Sequence, residues 1–318
     1  MRSGPDELHE LARGVFEERI VTRGTEIDAT ATVSTSSFLR YFEHTRWCVM
    51  QRESLGLCAL IDAGHFFVVR SQIVELRRRI GQGQPLILTT RFLDVGRSTA
   101  TVVHEALRLR DGAVVARAKV VGVWLGPTRR PARIPDSVRA VMRIGVDHDL
   151  SGDDEAALEG TDGGNQRSFI DPPERVFAPL SVMTEPPFEP PSEPVATYRL
   201  VVPFRDLDVF SHVNAATFLH YADDARDAFA AKLGMDPAVA RGFVNRVGLF
   251  YQQEARQGDT LDLALVPLGR AALGVWCRRE RRQNEPGEAS EGEVGGLVPL
   301  VAMRLDLVAG ADPVTTPS

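Results

Sequence analysis

The chain has 318 residues, which is long enough for two domains that each bury a hydrophobic core. Its net charge of -6 argues against general nucleic-acid binding, and 43% hydrophobic with 25% charged residues is typical of a soluble globular protein. No run approaches the ~20 apolar residues of a membrane span, and residues 1–10 lack the apolar core of a signal peptide. We therefore expect a cytoplasmic protein with no nucleic-acid or membrane partner.

Three cysteines, Cys48, Cys58 and Cys277, are widely spaced along the chain. They are not accompanied by the Cys and His spacing of a zinc-binding motif. The sequence therefore predicts reduced thiols and no metal site.

The first half predicts a strand, a long helix and then several strands. Residues 15–27 partly alternate apolar and polar side chains, and a polar turn follows at 28–34. Ser34 to Ser36 are candidate N-caps for a helix that continues to about Arg52. Four strands separated by Gly-containing turns and a short helix complete this half, at 66–76, 85–95, 98–109, 113–125 and 135–142.

Residues 149–195 are rich in Asp, Glu, Gly and Pro. Such a composition buries too little apolar area to offset the loss of chain entropy, so we predict a largely extended linker. The predicted domains are therefore 1–148 and 196–318.

The second half repeats the order of the first. It predicts a strand at 198–204, a turn at 205–214 and a helix that ends at Gly234. Strands follow at 242–254, 261–267, 271–279 and 297–308, with a long polar loop at 282–296. Helices and antiparallel strands together predict an α+β fold.

An internal repeat is visible at the level of single residues. A constant separation of 180 positions relates Asp28 to Asp208, Val33 to Val213, Phe38 to Phe218, Leu39 to Leu219, Tyr41 to Tyr221 and Arg46 to Arg226. The match has no gap across the turn and helix, which indicates two copies of one unit. We expect the repeated Tyr and Arg side chains to serve packing and ion pairing.

The segment 204–229 concentrates the polar residues of the second copy. Asp206, Asp208, His212 and Asn214 precede an amphipathic helix, whose N-terminus favours an anion or a polarised carbonyl oxygen. The same residues could instead form only a capping cluster.

These features resemble the hotdog-fold acyl thioesterases, of both the 4-hydroxybenzoyl-CoA and the plant acyl-ACP types. The resemblance rests on the strand, the Asp-containing turn, the helix that begins F-L-x-Y and the antiparallel sheet, and it covers both halves. It implies two tandem hotdog domains, each a long central helix wrapped by an antiparallel β-sheet. Association of two such double hotdogs into a homodimer stays open.

The second half carries the more specific resemblance. D-L-D-V-F-S-H-V-N is similar to the family segment D-L-D-V-N-x-H-V-N, which places the catalytic Asp at Asp208 and the catalytic His at His212. The family's catalytic Asn falls on Phe210, which is a departure. L-F-Y-Q-Q-E-A-R resembles L-x-Y-R-R-E-C and places a catalytic Glu at Glu254, on a predicted strand.

The first half retains only part of this motif. Asp28 is present, but Thr32 replaces the His, Ser34 replaces the Asn, and Arg77 or Arg78 is expected near the Glu position. We predict one competent and one degenerate site. Alternatively, Asp28 suffices alone, because the 4-hydroxybenzoyl-CoA type uses a single carboxylate placed in this way.

Thioester hydrolysis assigns roles to these residues. Asp208 would attack the carbonyl or activate water, while Glu254 or His212 would orient and deprotonate that water. Backbone N–H groups of Ala215 and Ala216 would hold the oxyanion, and Asn214 and Phe210 complete the predicted substrate-binding residues. The reaction requires no metal and no cofactor.

The resulting hypothesis is an acyl thioesterase that acts on an acyl-CoA or an acyl carrier protein. A hotdog hydratase is the nearest alternative enzyme, but its motif D-x-N-P-x-H has a different Asp-to-His spacing from that of Asp208 and His212. A non-catalytic acyl-binding protein is the alternative from another class, favoured by Phe210 and by the eroded first half.

Overall fold

The computed structural model describes residues 9–10, 15–28, 30–50, 57–147, 186, 194, 196–232, 243–268, 272–282 and 297–308. The predicted linker, apart from Pro186 and Pro194, lies outside these residues. The predicted loop at 282–296 lies outside them too, except for Arg282. None of the helices in the described part of the chain combines the length and the apolar character needed to cross a membrane.

The predicted α+β class is confirmed by antiparallel strands with few helices. The first half contains β1 (His9–Glu10), β2 (Phe16–Val21), α1 (Thr35–Met50), α2 (Leu57–Asp62), β3 (Phe66–Leu76), β4 (Pro85–Val95), β5 (Thr99–Arg108), β6 (Val114–Leu125) and α3 (Asp136–Asp147). The second half contains β7 (Ala196–Val201), α4 (Thr217–Lys232), β8 (Phe243–Tyr251), β9 (Thr260–Pro267), β10 (Ala272–Glu280) and β11 (Leu297–Val308).

Several sequence predictions require correction. The strands predicted at 15–27 and 198–204 end earlier, at Val21 and Val201. Strand β8 ends at Tyr251, so Glu254 lies in the loop after the strand and not on it. Helix α2 was not predicted, because six residues are too few to display helical periodicity.

Helices α1 and α4 bury the faces that their periodicity predicts. In α1, Phe38, Phe42, Thr45 and Val49 are buried at intervals of three or four residues. In α4 the corresponding face carries Phe218, Ala222 and Ala225, all buried.

Backbone packing divides the chain into two compact units whose limits differ from those of the sequence halves. The first unit comprises the described residues of Met1–Thr22, Tyr41–Val68 and Gly83–Val182. Its strands follow the order β1-β2-β4-β5-β6, and all of these neighbours are antiparallel. Its core packs strand residues against helix residues: Phe16, Phe92 and Trp124 with Val49, Val138 and Met142.

The second unit comprises the described residues of Arg23–Arg40, Val69–Gln82 and Met183–Ser318. Its strand order is β3-β8-β11-β10-β9-β7, in which β3 contributes the residues from Val69 onward. Ser71 lies opposite Phe250, and Glu75 lies opposite Arg246. The polar turns of both repeats therefore belong to this one unit.

Candidate active site

The turn before α4 is a tight backbone structure. Leu207 pairs with Val213 in an antiparallel bridge, and the N–H of Asp208 donates to the carbonyl of His212 over 2.7 Å. Ser211 has a φ of 61°, in the left-handed region that non-glycine residues rarely adopt. A strained residue of this kind persists only where surrounding contacts hold it.

The carboxylate of Asp208 provides some of those contacts. Its Oδ1 accepts the N–H of Phe210 at 2.9 Å and the N–H of His212 at 3.2 Å. Asp208 therefore fixes the turn whatever else it does. Phe210 contributes only its main-chain N–H to this contact, so the contact does not depend on the Phe210 side chain, which departs from the family motif.

Asn214 organises the start of α4. Its Oδ1 accepts the N–H of Ala216 at 2.9 Å, and its carbonyl accepts the N–H of Thr217 at 2.9 Å. In the described part of the chain, the N–H of Ala215 donates to no protein acceptor. Of the two N–H groups predicted to hold an oxyanion, that of Ala215 is consequently the more accessible to a ligand.

Glu254 meets His212 although 42 residues separate them in sequence. The His212 Nε2 and Glu254 Oε2 atoms are 2.7 Å apart, and both side chains are partly buried. The loop that carries Glu254 is anchored by a 2.8 Å hydrogen bond from the N–H of Val213 to the carbonyl of Ala255. The structure thus brings together three predicted residues, Asp208, His212 and Glu254.

The charge state of Glu254 is set by its neighbours. Burial acts to raise its pKa, but the hydrogen bond to His212 and the charge of Arg256, which pairs with the same carboxylate, outweigh burial and lower the pKa to about 2. Glu254 is consequently a carboxylate at neutral pH and a weak base.

Two tyrosines support the site, and the sequence did not indicate their roles. The hydroxyl of Tyr251 donates to the carbonyl of Ala215 at 2.9 Å and accepts from Gln72 Nε2 at 2.5 Å. The hydroxyl of Tyr221 donates to Asp206 Oδ2 at 2.7 Å, where burial and this carboxylate raise the pKa of the tyrosine. Gln72 belongs to the first repeat, and its contribution depends on the pairing of β3 with β8.

The Asp28 turn reproduces this backbone. Ile27 pairs with Val33, and Ala31 has a φ of 58°. Here Asp28 Oδ1 accepts two hydrogen bonds from Thr30, one from the N–H at 2.8 Å and one from the side-chain hydroxyl at 2.5 Å. The hydroxyl of Thr30 also lies 2.8 Å from that of Thr32. A cluster of hydroxyl groups therefore replaces the His–Glu pair.

The residue that corresponds to Glu254 in the first repeat is Arg79. The N–H of Val33 donates to the carbonyl of Ile80 at 2.8 Å, as the N–H of Val213 does to that of Ala255. Arg79 precedes Ile80 as Glu254 precedes Ala255. The prediction of Arg77 or Arg78 was therefore one or two positions short, because no motif fixes the alignment after β3.

Among the described residues, Glu18, His44 and Cys48 place three potential metal ligands close together. None of these residues belongs to the Asp208 site.

Comparison with known proteins identifies the family. A family model described as the thioesterase-like superfamily matches residues 22–142 and 202–266, more than half of the chain. A chloroplastic acyl-acyl carrier protein thioesterase of Arabidopsis thaliana is 20% identical over 137 residues, which are 43% of this chain and 68% of that protein.

Solved structures are similar over nearly the whole chain. An acyl-ACP thioesterase from Bacteroides thetaiotaomicron superimposes with a TM-score of 0.66 at 14% identity, covering 92% of this chain and 97% of that one. The 12:0-ACP thioesterase from Umbellularia californica gives a TM-score of 0.62 at 15% identity, covering 93% and 98%. These likenesses show the fold, and they agree with the resemblance that the motifs indicated. With the family model matching parts of both repeats, the chain belongs to the thioesterase-like superfamily.

Proposed function

We propose that this protein hydrolyses acyl thioesters to a free acid and a thiol at the Asp208 turn. The observation that carries the proposal is the 2.7 Å contact between His212 and Glu254, beside Asp208 at the start of α4. Membership of the thioesterase-like superfamily supports this class of reaction. We also propose the tandem double-hotdog arrangement, with the domains at 1–148 and 196–318.

The proposed reaction divides the chemistry among three side chains. Asp208 attacks the thioester carbonyl or directs a water molecule to it. Because Glu254 is a weak base and faces Nε2 of His212, it orients the imidazole, and Nδ1 takes the proton of the water. When water attacks, the C–S bond then breaks and the proton passes to the departing thiolate. When Asp208 attacks, the C–S bond breaks first to give an acyl–Asp208 anhydride; the water activated by His212 then hydrolyses that anhydride to the free acid, and its proton ends on the thiolate.

The developing oxyanion is assigned to the N-terminus of α4. The N–H of Ala215 lies next to the capped N–H groups of Ala216 and Thr217, where the helix dipole favours negative charge. Tyr251 holds the carbonyl of Ala215, so it fixes the plane of the peptide between Ala215 and Ala216. Asn214 and Phe210 precede this position in sequence and remain the proposed substrate-binding residues.

An acyl carrier protein is the first substrate to test, because the relatives include thioesterases named for such substrates. Three apolar side chains in and before the turn are well exposed, those of Val201, Phe204 and Val209, at 61%, 73% and 83%. An acyl chain or a pantetheine arm would bury part of that surface. The same chemistry is available on acyl-CoA, which shares the pantetheine thioester.

The test is thiol release from a panel of acyl-carrier-protein and acyl-CoA thioesters, with wild type and His212→Gln side by side. We expect turnover by wild type on at least one thioester and a loss on the order of 10²-fold in the variant. Absence of wild-type turnover across the panel would reject the proposal. Hydration of an enoyl thioester without thiol release would favour the hydratase alternative.

A further inference from the structure

Three side chains of different chemistry converge in the first unit. Glu18 lies on β2, while His44 and Cys48 lie one helical turn apart on α1. One oxygen, nitrogen or sulfur ligand atom from each residue lies within 4.8 Å of the other two. His44 Nε2 is 2.8 Å from Glu18 Oε1 and 3.6 Å from Cys48 Sγ.

Glu18 is the unusual member of this group. Its side chain is 0% exposed, and its second oxygen, Oε2, has no hydrogen-bond partner among the described residues. A buried acceptor without a partner destabilises the folded state, and such atoms often mark a bound water or ion. The carboxylate is therefore incompletely satisfied by the protein.

The arrangement differs from a nucleophilic Cys–His–Glu triad. In a triad the two partners use opposite nitrogens of the imidazole ring, so that a proton can pass through it. Here both Glu18 and Cys48 approach the same nitrogen, Nε2 of His44. A metal ion bound by all three residues needs this arrangement, in which the three ligand atoms meet on one side of the imidazole ring.

The distances fit a tetrahedral metal. Bonds of about 2.0–2.1 Å to nitrogen and about 2.3 Å to sulfur hold those two atoms roughly 3.5 Å apart. His44 Nε2 and Cys48 Sγ are 3.6 Å apart. The 2.8 Å oxygen–nitrogen separation must increase by roughly half an ångström for a metal to enter.

We propose that Glu18, His44 and Cys48 bind a divalent transition-metal ion, with Zn²⁺ as the first candidate. Oxygen, imidazole and thiolate ligands together suit zinc, while a purely oxygen-seeking cation would leave the thiolate unused. The thiol proton and any proton on His44 Nε2 pass to solvent when the metal binds. The His44 side chain is 54% exposed, which gives the ion a route of entry and leaves a fourth position for water.

The second repeat lacks this ligand set. By the separation of 180 positions, Tyr198, Asp224 and Ala228 correspond to Glu18, His44 and Cys48. The strand register supports the correspondence of Glu18 with Tyr198. Glu18 on β2 lies opposite Leu88 of β4, and Tyr198 on β7 lies opposite Leu263 of β9. The proposed site is therefore particular to the first repeat and is independent of hydrolysis at the Asp208 turn.

The experiment uses the full chain after treatment with a chelator, titrated with Zn²⁺ alone and followed by calorimetry. We expect one Zn²⁺ per chain and a rise in Tm of roughly 5 °C at a hundredfold excess over Kd. Cys48→Ala and His44→Gln should each weaken binding by at least about tenfold, whereas the control Cys58→Ser should bind as wild type. Co²⁺ should produce cobalt–thiolate absorption in wild type and Cys58→Ser and lose it in Cys48→Ala.

Two outcomes would overturn the proposal. One is no Zn²⁺ binding by wild type at concentrations up to about 100 μM, far above the Kd expected of a protein site for zinc. The other is equal binding by wild type, Cys48→Ala and His44→Gln, which would assign the zinc to other residues. Cys48→Ala is expected to keep the metal-free Tm close to wild type, because Cys48 is partly exposed. His44→Gln is expected to do so because the Gln side chain keeps an N–H donor for Glu18.

Discussion

The Asp28 and Asp208 turns share a backbone but differ in side-chain chemistry. Each places a non-glycine residue in the left-handed region, with φ of 58° at Ala31 and 61° at Ser211. Each also anchors a valine of the turn through a 2.8 Å backbone hydrogen bond, from Val33 to Ile80 and from Val213 to Ala255. The turn geometry therefore does not require a catalytic side chain.

The difference lies at two positions of the turn and its neighbouring loop. His212 and Glu254 form a pair in the second repeat, whereas Thr32 and Arg79 occupy these places in the first. The carboxylate of Asp28 accepts a hydrogen bond from the hydroxyl of Thr30, whereas Phe210 occupies the corresponding position of the Asp208 turn. The aspartate therefore holds the turn in both repeats. By our proposal, only Asp208 also takes part in the reaction.

Replacing each aspartate by asparagine most directly separates its role in the turn from a role in catalysis. Asn retains an oxygen that can accept the backbone N–H groups, so both turns should persist. We expect Asp208→Asn to lower kcat/KM on the order of 10³-fold and Asp28→Asn to change it by less than about threefold. Thiol release on the preferred thioester measures both.

Equal large losses in the two variants would contradict a single competent site. A loss confined to Asp28→Asn would support the alternative in which Asp28 alone suffices. Thermal unfolding of both variants provides the control for the turn itself.

The second prediction concerns Glu254 and its counterpart Arg79. Glu254→Gln removes the charge that orients His212, so we expect kcat to fall about 10²-fold. Arg79→Gln changes the corresponding position of the first repeat and should leave kcat within about twofold. Matching effects in the two variants would show that the His–Glu pair has no special part in turnover.

The sequence predicted the regular elements well because their periodicity is local. Strands β3, β4 and β11 have the predicted bounds, and the bounds of α1 differ from the prediction by about two residues. The repeat itself identified both turns, since a match without gaps needs no knowledge of tertiary structure.

Contacts between segments distant in sequence could not be predicted from local periodicity. Nothing local links Gln72 to Tyr251, which meet because β3 pairs with β8. The Glu18 cluster escaped for the same reason, since its ligands come from a strand and a helix 26 residues apart. Zinc-binding motifs recognised from sequence place their ligands close together along the chain.

The third prediction concerns the stability that is lost when Glu254 becomes protonated at low pH. Its pKa is lowered from 4.5 to about 2, so its stabilising contribution is complete above pH 4.5 and is lost as the pH falls toward 2. Because the side chain is partly exposed, we expect a contribution of only about 1–2 kcal/mol. Wild type should exceed Glu254→Gln in free energy of unfolding at pH 6, and the difference should shrink by pH 3.

Denaturant unfolding of both proteins at the two pH values measures this difference. Other carboxylates, such as Asp259 with its lowered pKa, are common to both proteins and cancel in the comparison. A difference that does not change between pH 6 and pH 3 would contradict the assigned ion pair.

The smallest expected effects come from the two residues that begin the helices. Asn214 Oδ1 accepts the N–H of Ala216 at 2.9 Å, and Ser34 Oγ accepts the N–H of Ser37 at 3.1 Å. Asn214→Ala and Ser34→Ala should each cost about 1 kcal/mol in free energy of unfolding, because Asn and Ser are comparable caps. If only the α4 start holds the oxyanion, Asn214→Ala should also reduce kcat about tenfold. Ser34→Ala should leave kcat unchanged, and an equal loss of kcat in both would mean that activity follows stability alone.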